Sequence, residues 1–458
     1  MSGSPVTNFQ PTPASIPPPG AIRVDLRLPP GISPYTQPLN PLSFLLRAAQ
    51  IYPNKLALAH SDVKHPVFYT YAIFSQRVQN LAYALVQAGI QPGDKVAVIA
   101  PNSPVIAEAH HGILAARAVI CPINTRLTVP EVTYILQHSG SRLIIVDHEF
   151  QHLVKEATVP VVVSHDTGRE GCPYEAFLAG GRKFSQEFGW PGLDWEPDEY
   201  EAASLCYTSG TTGRPKGVIA TLRGDERTFL LMKKFLTMFS GSYLAAIANA
   251  FESRMTSESV YLWVLPMFHA CGWTFPWAIT ASFATQITLR TVDVSRIWYH
   301  IMKSGVTHYC GAPTVQIGLL NSPDAQRTTH PVTTIVAGSA PTAKLIGDLE
   351  DRGIHPVHVY GLTETYGPFT KAYPQPHWNS LPLEERARYL ARQGFGFLTS
   401  EPVRVVFQPK EGEEGLDKEL VDVPKDGKTV GEIVMRGNIS LKEVSLEPHI
   451  DGCKLKIP

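Results

Sequence analysis

The sequence lacks an excess of charge of one sign, and its cysteines form no metal-binding pattern. Its 40 Lys and Arg residues nearly balance 41 Asp and Glu residues, for a formal net charge of -1. This balance gives no indication of nucleic acid or an anionic membrane as a partner. The six cysteines are scattered without a CxxC pair. We therefore expect neither a zinc site nor a disulfide framework, and a reducing compartment is the simpler interpretation.

Long apolar runs and targeting signals are also missing. No basic segment followed by an apolar run stands at the N-terminus, so no secretory signal is predicted. The most apolar window, residues 263–284, is interrupted by Pro266, His269 and Pro276. A membrane-spanning helix needs roughly 20 predominantly apolar residues, so we predict a buried strand, a loop and a core helix there. The terminal residues CKLKIP are neither a Ser-Lys-Leu tripeptide nor a prenylation box.

Short apolar segments alternate with helical patterns over most of the 458 residues. Many of these segments are apolar on both faces, as strands covered by helices on both sides should be. Strands are predicted at KVAVIAP, RLIIVD, PVVVSH, ASLCYTS, YLWVLP, TQITLR, THYCGAP, TTIVAG and PVHVYG. The alternation predicts an α/β fold with layered parallel sheets.

The sequence texture divides the chain into four parts. Residues 1–41 are a proline-rich, extended lead-in. Residues 42–396 are predicted to form the α/β domain, and segment 224–240 disturbs its alternation of strands and helices. Within residues 397–443, EPVRVVFQP and KTVGEIVMRG flank an acidic loop and predict a hairpin from a small sheet or barrel. Residues 444–458 form a tail without a clear period.

The stretch YTSGTTGRPKG, residues 207–217, is typical neither of a helix nor of a regular strand. In this glycine loop, glycines let the backbone approach a phosphate, and successive N–H groups can point at the anion. Because an apolar strand precedes the loop, we expect it at the carboxyl end of a sheet, where α/β folds bind ligands. Pro215 before Lys216 and Gly217 after it exclude a Walker loop. A solvent-exposed polar loop is the alternative.

The glycine loop resembles the signature of the adenylate-forming (AMP-binding) superfamily, which includes acyl-CoA synthetases, luciferases and the adenylation domains of peptide synthetases. Three further motifs follow in the family's order: LPMFHACGW (265–273), VAGSAPT (336–342) and YGLTET (360–365). The resemblance covers about residues 42–442. It implies the large N-terminal domain of that fold, with two parallel-type α/β subdomains and a partial small β-barrel.

The resemblance also implies a nucleotide site. The residues expected to contact ATP are Thr208, Ser209, Gly210, Thr211, Thr212, Gly213, Lys216, Gly338, Ser339, Ala340, Pro341, Tyr360, Gly361 and Thr363. The glycine loop would hold the phosphates, VAGSAPT would run along the adenine, and Tyr360 would stack on it. Without the resemblance, VAGSAPT is a strand-to-helix turn with Pro341 in the first helical turn, and YGLTET is a capped helix start.

Three residues are expected to take part in the chemistry: His269, Thr363 and Glu364. In the family, the histidine lies between the acyl pocket and the reacting carboxylate, and an aromatic such as Trp273 helps to wall the pocket. Thr363 would hold the α-phosphate, and Glu364 would bind Mg²⁺, which prefers carboxylate and phosphate oxygens. The cation would neutralise charge that builds up during attack on the α-phosphate. Without the resemblance, His269 would more often be a satisfied core histidine.

The implied reaction joins a carboxylic acid to coenzyme A at the expense of ATP. The acid and ATP give an acyl-adenylate and pyrophosphate, and the thiol of coenzyme A then displaces AMP. The expected ligands are therefore ATP, Mg²⁺, coenzyme A and a carboxylic acid, without a membrane span. FHACGW and FPW are most similar to enzymes for short- to medium-chain, branched or aromatic acids.

The sequence departs from the family at two places. The match ends after Glu443, and the ribose-binding aspartate, the hinge and the catalytic lysine of the family's small C-terminal domain are not found. We therefore expect little or no activity from this form. Many relatives carry a C-terminal peroxisomal tripeptide, so we expect a cytoplasmic location for this form and a peroxisomal one for a full-length form. The second departure is segment 224–240, which separates TLRG from SYLAAIANA.

Two interpretations of these departures stay open. Retained introns would explain both, because Gly224 and Val444–Ser445 can be encoded with splice-donor sequences and removal of the insertion restores TLRG joined to SYLAAIANA. The product would then be a non-catalytic nucleotide- or acyl-binding remnant. Alternatively, 224–240 is a translated segment, in which TFLLMKKFLTMF allows an amphipathic surface helix.

Overall fold

A computed structural model describes residues 38–169, 171–194, 198–208, 215–223, 236–407 and 420–435, with the backbone alone for 236–240. The helices are α1 (Leu42–Ile51), α2 (Tyr71–Gln87), α3 (Pro104–Ala115), α4 (Val129–Ser139), α5 (Pro173–Phe188), α6 (Ser242–Glu252), α7 (Phe275–Ala281), α8 (Val294–Lys303), α9 (Pro313–Leu320), α10 (Ala343–Asp351) and α11 (Leu383–Leu390). None of the helices in these ranges is long and apolar enough to cross a membrane.

The strands belong to two large sheets and one small one. They are β1 (Leu56–His60), β2 (Val67–Thr70), β3 (Lys95–Ile99), β4 (Val119–Pro122), β5 (Leu143–Asp147), β6 (Val161–Ser164), β7 (Ala202–Thr208), β8 (Lys216–Thr221), β9 (Leu236–Gly241), β10 (Val260–Trp263), β11 (Thr285–Thr288), β12 (His308–Cys310), β13 (Val332–Val336), β14 (Ile354–Leu362), β15 (Gly367–Lys371), β16 (Phe395–Gly396), β17 (Arg404–Val406) and β18 (Glu432–Val434). Each strand that the sequence predicted is present.

Parallel strands form the centre of both large sheets, as predicted. The seven-stranded sheet has the order β6-β5-β3-β4-β7-β8-β9, and the nine-stranded sheet has the order β16-β15-β14-β13-β12-β10-β11-β1-β2. In the seven-stranded sheet, the pair β7–β8 is antiparallel and the other neighbours are parallel. In the nine-stranded sheet, the antiparallel pairs lie at the two ends, at β1–β2 and at β14–β15–β16.

Apolar residues on both faces of the central strands explain the layers. Successive side chains of a strand point to opposite faces. In β3, Val96 and Val98 join a central core, whereas Ala97 and Ile99 join a second core on the other face. In the nine-stranded sheet, Trp263 belongs to the same central core, and its neighbour Leu262 belongs to a third core. The two sheets therefore share one central hydrophobic core and each covers a further core on its other face.

Local sequence signals mark where the helices that flank these sheets begin and end. Thr70 caps α2 by accepting a hydrogen bond from the Ile73 N–H group. Thr128 and Glu131 form a capping box at the start of α4, and Gly140 ends that helix in the left-handed conformation. Both arrangements satisfy backbone groups that a helix end leaves without partners.

The insertion and the C-terminal hairpin differ from expectation in part. The last residues of segment 224–240 form the edge strand β9, parallel to β8, so the surface helix is wrong for residues 236–240; residues 224–235 lie outside the described ranges. The predicted hairpin is confirmed as the antiparallel pair β17–β18. Among the described residues it remains a two-stranded sheet, and no barrel closes.

Candidate active site

The glycine loop connects two antiparallel strands of the seven-stranded sheet. Thr208 ends β7 and Lys216 begins β8, and the two residues are partners across the pair. Both are half-buried. The predicted phosphate contacts Ser209, Gly210, Thr211, Thr212 and Gly213 lie outside the described residues. The strands therefore fix where the loop leaves and rejoins the sheet.

Helix α4 holds both ends of the loop. The hydroxyl group of Tyr207 shares a 2.7 Å hydrogen bond with Nδ1 of His138, on the last turn of the helix. The hydroxyl group of Tyr134, one turn earlier, donates a hydrogen bond to the carbonyl oxygen of Pro215 at 3.4 Å. Because side chains of one capped helix contact both ends, the positions of the two ends of the glycine loop are fixed before a ligand binds.

Two more predicted segments lie at one edge of the nine-stranded sheet. Strands β13 and β14 are parallel, with Val336 beside His358. Residues 338–341 and 360–364 follow these positions, so both segments emerge at the carboxyl ends of neighbouring strands. This edge is where open α/β sheets bind ligands.

The segment after β13 presents an open turn. Gly338, Ser339 and Ala340 are exposed, whereas Pro341 is buried. Gly338 has a φ of +90°, a conformation that suits glycine. The hydroxyl group of Thr342 caps α10, so Pro341 precedes the cap and the prediction that it stands in the first helical turn is wrong.

The segment after β14 makes a single tight turn rather than a helix start. Residues Thr363–Thr365 form one 3₁₀ turn, and the chain then reverses into β15. The hydroxyl group of Thr365 accepts a hydrogen bond from the Leu362 N–H group at 2.9 Å and donates one to the carbonyl oxygen of Gly367 at 2.8 Å. A Cβ at Gly361 would lie 1.9 Å from that same carbonyl oxygen, so only glycine fits.

Three expected ligand-binding side chains, one at the end of β14 and two in this turn, lie at the surface of the fold. Tyr360, Thr363 and Glu364 are half-buried. Burial, with a further contribution from the negative charge of Glu364, raises the pKa of Tyr360. The carboxylate of Glu364 is therefore close to the phenol ring of Tyr360.

The carboxylate available here suits a cation whose remaining coordination positions are filled by the substrate and water. Among the described residues, no group of three or more His, Cys, Asp and Glu side chains is placed to hold a metal ion. Mg²⁺ is commonly bound by one or two carboxylates together with substrate phosphates and water. Glu364 alone, half-buried at the end of β14, fits that mode of binding.

His269 begins an uncommon turn, His269–Thr274, which we call the left-handed turn. Its residues 270–274 all have positive φ angles, between 42° and 63°. His269 is exposed, so the alternative of a satisfied core histidine is wrong. Protein packed around the other side of the imidazole, and the positive charge of Arg126, lower the pKa of His269. The ring is therefore neutral at neutral pH.

Polar and steric contacts hold this turn against the rest of the site. The side-chain amide of Asn249 donates hydrogen bonds to the carbonyl oxygen of Trp273 at 3.0 Å and to the hydroxyl group of Thr274 at 2.7 Å. A Cβ at Gly367 would lie 3.0 Å from the Cα of Trp273. The segment that contains Glu364 is thus packed directly on the turn that begins with His269.

Contacts between elements bring these segments to the glycine loop. The left-handed turn packs against β7, which leads into the loop, and the Thr363–Thr365 turn lies against the backbone of β9. A disulfide joins Cys206 of β7 to Cys271 of the turn, with 6.4 Å between their Cα atoms. The scattered cysteines predicted no disulfide framework and gave no indication of this single bond, because 65 residues separate the two cysteines in sequence and the fold brings them together.

A residue for which no role was predicted, Asn102, positions the segment before His269. Its amide donates to the carbonyl oxygens of Trp263 and Leu265, both at 3.0 Å, and its oxygen accepts from the Met267 N–H group at 2.8 Å. Asn102 lies just after β3 of the seven-stranded sheet. Its hydrogen bonds therefore tie that sheet to the connection that follows β10 of the nine-stranded sheet. Its place directly after a buried strand is the signal in the sequence that could have indicated this role.

Comparisons with known proteins match most of the chain to one enzyme family. A family model described as "AMP-binding enzyme" matches residues 45–443. The chain is similar to the peroxisomal acetate/butyrate–CoA ligase AAE7 of Arabidopsis thaliana, with 35% identity over 90% of this chain and 71% of the relative. It is also similar to the acetate–CoA ligase CCL3 of Humulus lupulus, with 35% identity over 91% of this chain and 71% of the relative.

Solved structures show the same fold. The long-chain-fatty-acid–CoA ligase FadD1 of Archaeoglobus fulgidus has a TM-score of 0.70 at 19% identity, covering 91% of this chain and 79% of that one. The N-terminal domain of FACL13 from Mycobacterium tuberculosis has a TM-score of 0.65 at 23% identity, covering 88% of this chain and 91% of that one.

Proposed function

Because the chain belongs to the AMP-binding enzyme family, we propose that it is an ATP-dependent, AMP-forming acyl-CoA ligase. Its substrate is a short- to medium-chain, branched or aromatic carboxylic acid. The names of its relatives support this range, since they include ligases for acetate or butyrate, 2-methylpropanoate and benzoate. Segment 42–396 is the catalytic α/β domain with an insertion at 224–240, and 397–443 is a partial β subdomain.

One observation carries the proposal. The Glu364 segment packs on the left-handed turn through Gly367, and β7 also contacts that turn. The elements expected to hold phosphate, cation and acid are therefore neighbours, although about 150 residues separate the first from the last. Their convergence supports a site in which a carboxylate meets the α-phosphate of ATP.

Each part of the site then has a defined task. Residues 338–341 and Tyr360 would bind the adenine, and the glycine loop with Lys216 would hold the outer phosphates. Thr363 would orient the α-phosphate. Mg²⁺ bound at Glu364 would neutralise charge on the phosphates. A neutral His269 would lie next to the acid without adding a positive charge, so it can orient the carboxylate and exclude water without trapping it as an ion pair.

The experiment is a titration of the 458-residue chain with MgATP. Wild type should bind, and Glu364→Gln should bind about 10- to 100-fold more weakly, which corresponds to the roughly 1.5–3 kcal/mol of an interaction with a charged group. Glu385→Gln, at an exposed position on α11, is the matched control and should bind like wild type. Equal affinity in all three proteins would contradict the assignment of Glu364.

A second assay separates catalysis from binding. Release of pyrophosphate is measured with a panel of acids that includes acetate, butyrate, 2-methylpropanoate and benzoate. The same assay tests the prediction of little or no turnover by this form. Pyrophosphate release above the enzyme-free rate with any acid would exclude the alternative, a non-catalytic nucleotide- or acyl-binding protein. Binding of MgATP without pyrophosphate release would agree both with that alternative and with the little or no turnover expected of this form.

Four relatives are named as peroxisomal, which supports a peroxisomal form of the enzyme. A cytoplasmic location of the 458-residue form stays a prediction. A fluorescent protein fused to the N-terminus, viewed beside a peroxisomal marker, tests it.

A further inference from the structure

The Cys206–Cys271 pair lies between two halves of the proposed site and has no part in the proposed chemistry. Cys206 stands two residues before Thr208, and Cys271 stands two residues after His269. Their Cα separation of 6.4 Å is within the range of about 4.4–6.8 Å usual for disulfides. Both side chains are buried, at 3% and 0% exposure. The bond therefore links the strand that leads into the glycine loop to the turn that carries His269.

The backbone conformation of the left-handed turn indicates what the disulfide holds in place. Ala270, Cys271, Trp273 and Thr274 all have positive φ angles, which residues other than glycine rarely adopt. Such a conformation persists only where surrounding structure holds it. Asn249 and the contact with β15 hold the end of the turn, and Cys271 is the point at which its middle is held.

We propose that Cys206 and Cys271 form a reversible disulfide that controls the acid pocket. The pocket part of this inference rests on the proposed function. With the bond closed, Trp273, two residues beyond Cys271 and the aromatic expected to wall the acid pocket, stays against Gly367 of β15 and limits the room for the acyl group. With the bond open, the middle of the turn at Cys271 can leave its left-handed conformation; this strains the contacts of Asn249 and Gly367 with the end of the turn, so that Trp273 can shift and bulkier acids fit better.

The exchange reaction balances with a small disulfide as the oxidant. The two cysteine thiols lose two protons and two electrons and form one S–S bond, while glutathione disulfide takes them up and gives two glutathione thiols. Reduction by a dithiol is the reverse. Both sulfur atoms are buried, so exchange requires local opening of the turn. A ligand that closes the site should therefore slow the exchange.

The first test counts thiols in the intact chain. Samples treated with glutathione disulfide or with dithiothreitol are alkylated and digested. Mass spectrometry should find two fewer alkylated cysteines in the oxidised sample and one cross-linked peptide pair that contains Cys206 and Cys271. Cys310→Ser, which changes a buried cysteine of β12, should leave that pair unchanged. Absence of the cross-linked pair in the oxidised wild type would overturn the proposal.

The second test measures the pocket with two acyl-adenylate analogues, acetyl- and benzoyl-sulfamoyl adenosine. Reduction should raise the affinity for the benzoyl analogue relative to the acetyl one by about fivefold or more, the usual scale of coupling between two sites. The Cys206→Ser/Cys271→Ser variant should behave as the reduced protein under both conditions. The same ratio in both redox states would overturn the control of the pocket.

The two tests distinguish the proposals. If the cross-linked pair forms but neither analogue binds in either state, the proposed function is contradicted and the disulfide itself is confirmed. If both analogues bind and no cross-link forms, the proposed function is supported and the redox control is wrong.

Discussion

Replacement of Asn102 by Ala should destabilise the fold more than the loss of one side chain at an ordinary surface position. Asn102 is only 7% exposed, and it makes three hydrogen bonds to the backbone of residues 263–267. Those bonds hold the connection that leads from β10 to His269. Alanine removes all three and leaves two carbonyl groups and one N–H group of the connection without this partner.

The expected magnitude can be worked out from these three bonds. Each contributes about 1 kcal/mol net, and more where the abandoned group stays buried, which gives about 3–5 kcal/mol. At roughly 2.1 cal/mol/K per residue for a chain of 458 residues, 3 kcal/mol corresponds to a fall in Tm of about 3 °C.

Thermal unfolding at one scan rate, followed by circular dichroism, measures the effect. Asn124→Ala is the matched control, because the Asn124 side chain accepts a single, exposed hydrogen bond from the Arg126 N–H group. It should shift Tm by about 1 °C or less. If Asn102→Ala unfolds within 1 °C of wild type, the view that this side chain secures the His269 connection is refuted.

Three other perturbations have defined outcomes. Gly361→Ala places a Cβ 1.9 Å from the carbonyl oxygen of Gly367, so β14 and β15 must separate, and titration should show MgATP binding weakened at least tenfold. Opening the disulfide with Cys271→Ser should lower the free energy of unfolding by about 4 kcal/mol in denaturant, on the loop-entropy model; an unchanged midpoint under oxidising conditions would contradict the bond. Burial lowers the pKa of His110 to about 4 and that of His111 to about 3. Both stay neutral in the folded chain while the unfolded chain takes up protons below about pH 6.5, so stability is lost as pH falls from 6.5 towards 4, at about 1.4 kcal/mol per pH unit for each histidine. His111→Asn should flatten that dependence in denaturation curves at pH 7, 6 and 5.

The α/β architecture could be predicted because its evidence is local. Strands such as β3 and β5 are apolar on both faces, and few arrangements other than a sheet covered on both sides bury such strands. Strand order is harder to derive from sequence. Even so, the motifs at residues 336–342 and 360–365 each come directly after a predicted strand, and the carboxyl ends of neighbouring parallel strands meet at one edge of a sheet.

The features that could not be predicted depend on contacts between distant residues. Nothing local in ACGWT (270–274), with its single glycine, indicates five consecutive residues with positive φ angles. That conformation is imposed by partners such as Asn249 and Cys206, which stand far away in the chain. The edge strand β9 is a similar case, because pairing with β8 overrides the helical pattern of the segment.

The most direct test of the central claim is a crystal structure of this chain with butyryl-sulfamoyl adenosine. The adenine should lie between residues 338–341 and Tyr360, the sulfamoyl group should contact Thr363, and the butyryl group should lie beside His269 and Trp273. An analogue bound away from the carboxyl ends of β13 and β14, or bound there with its acyl group pointing away from the left-handed turn, would contradict the claim that these elements form one adenylate-forming site.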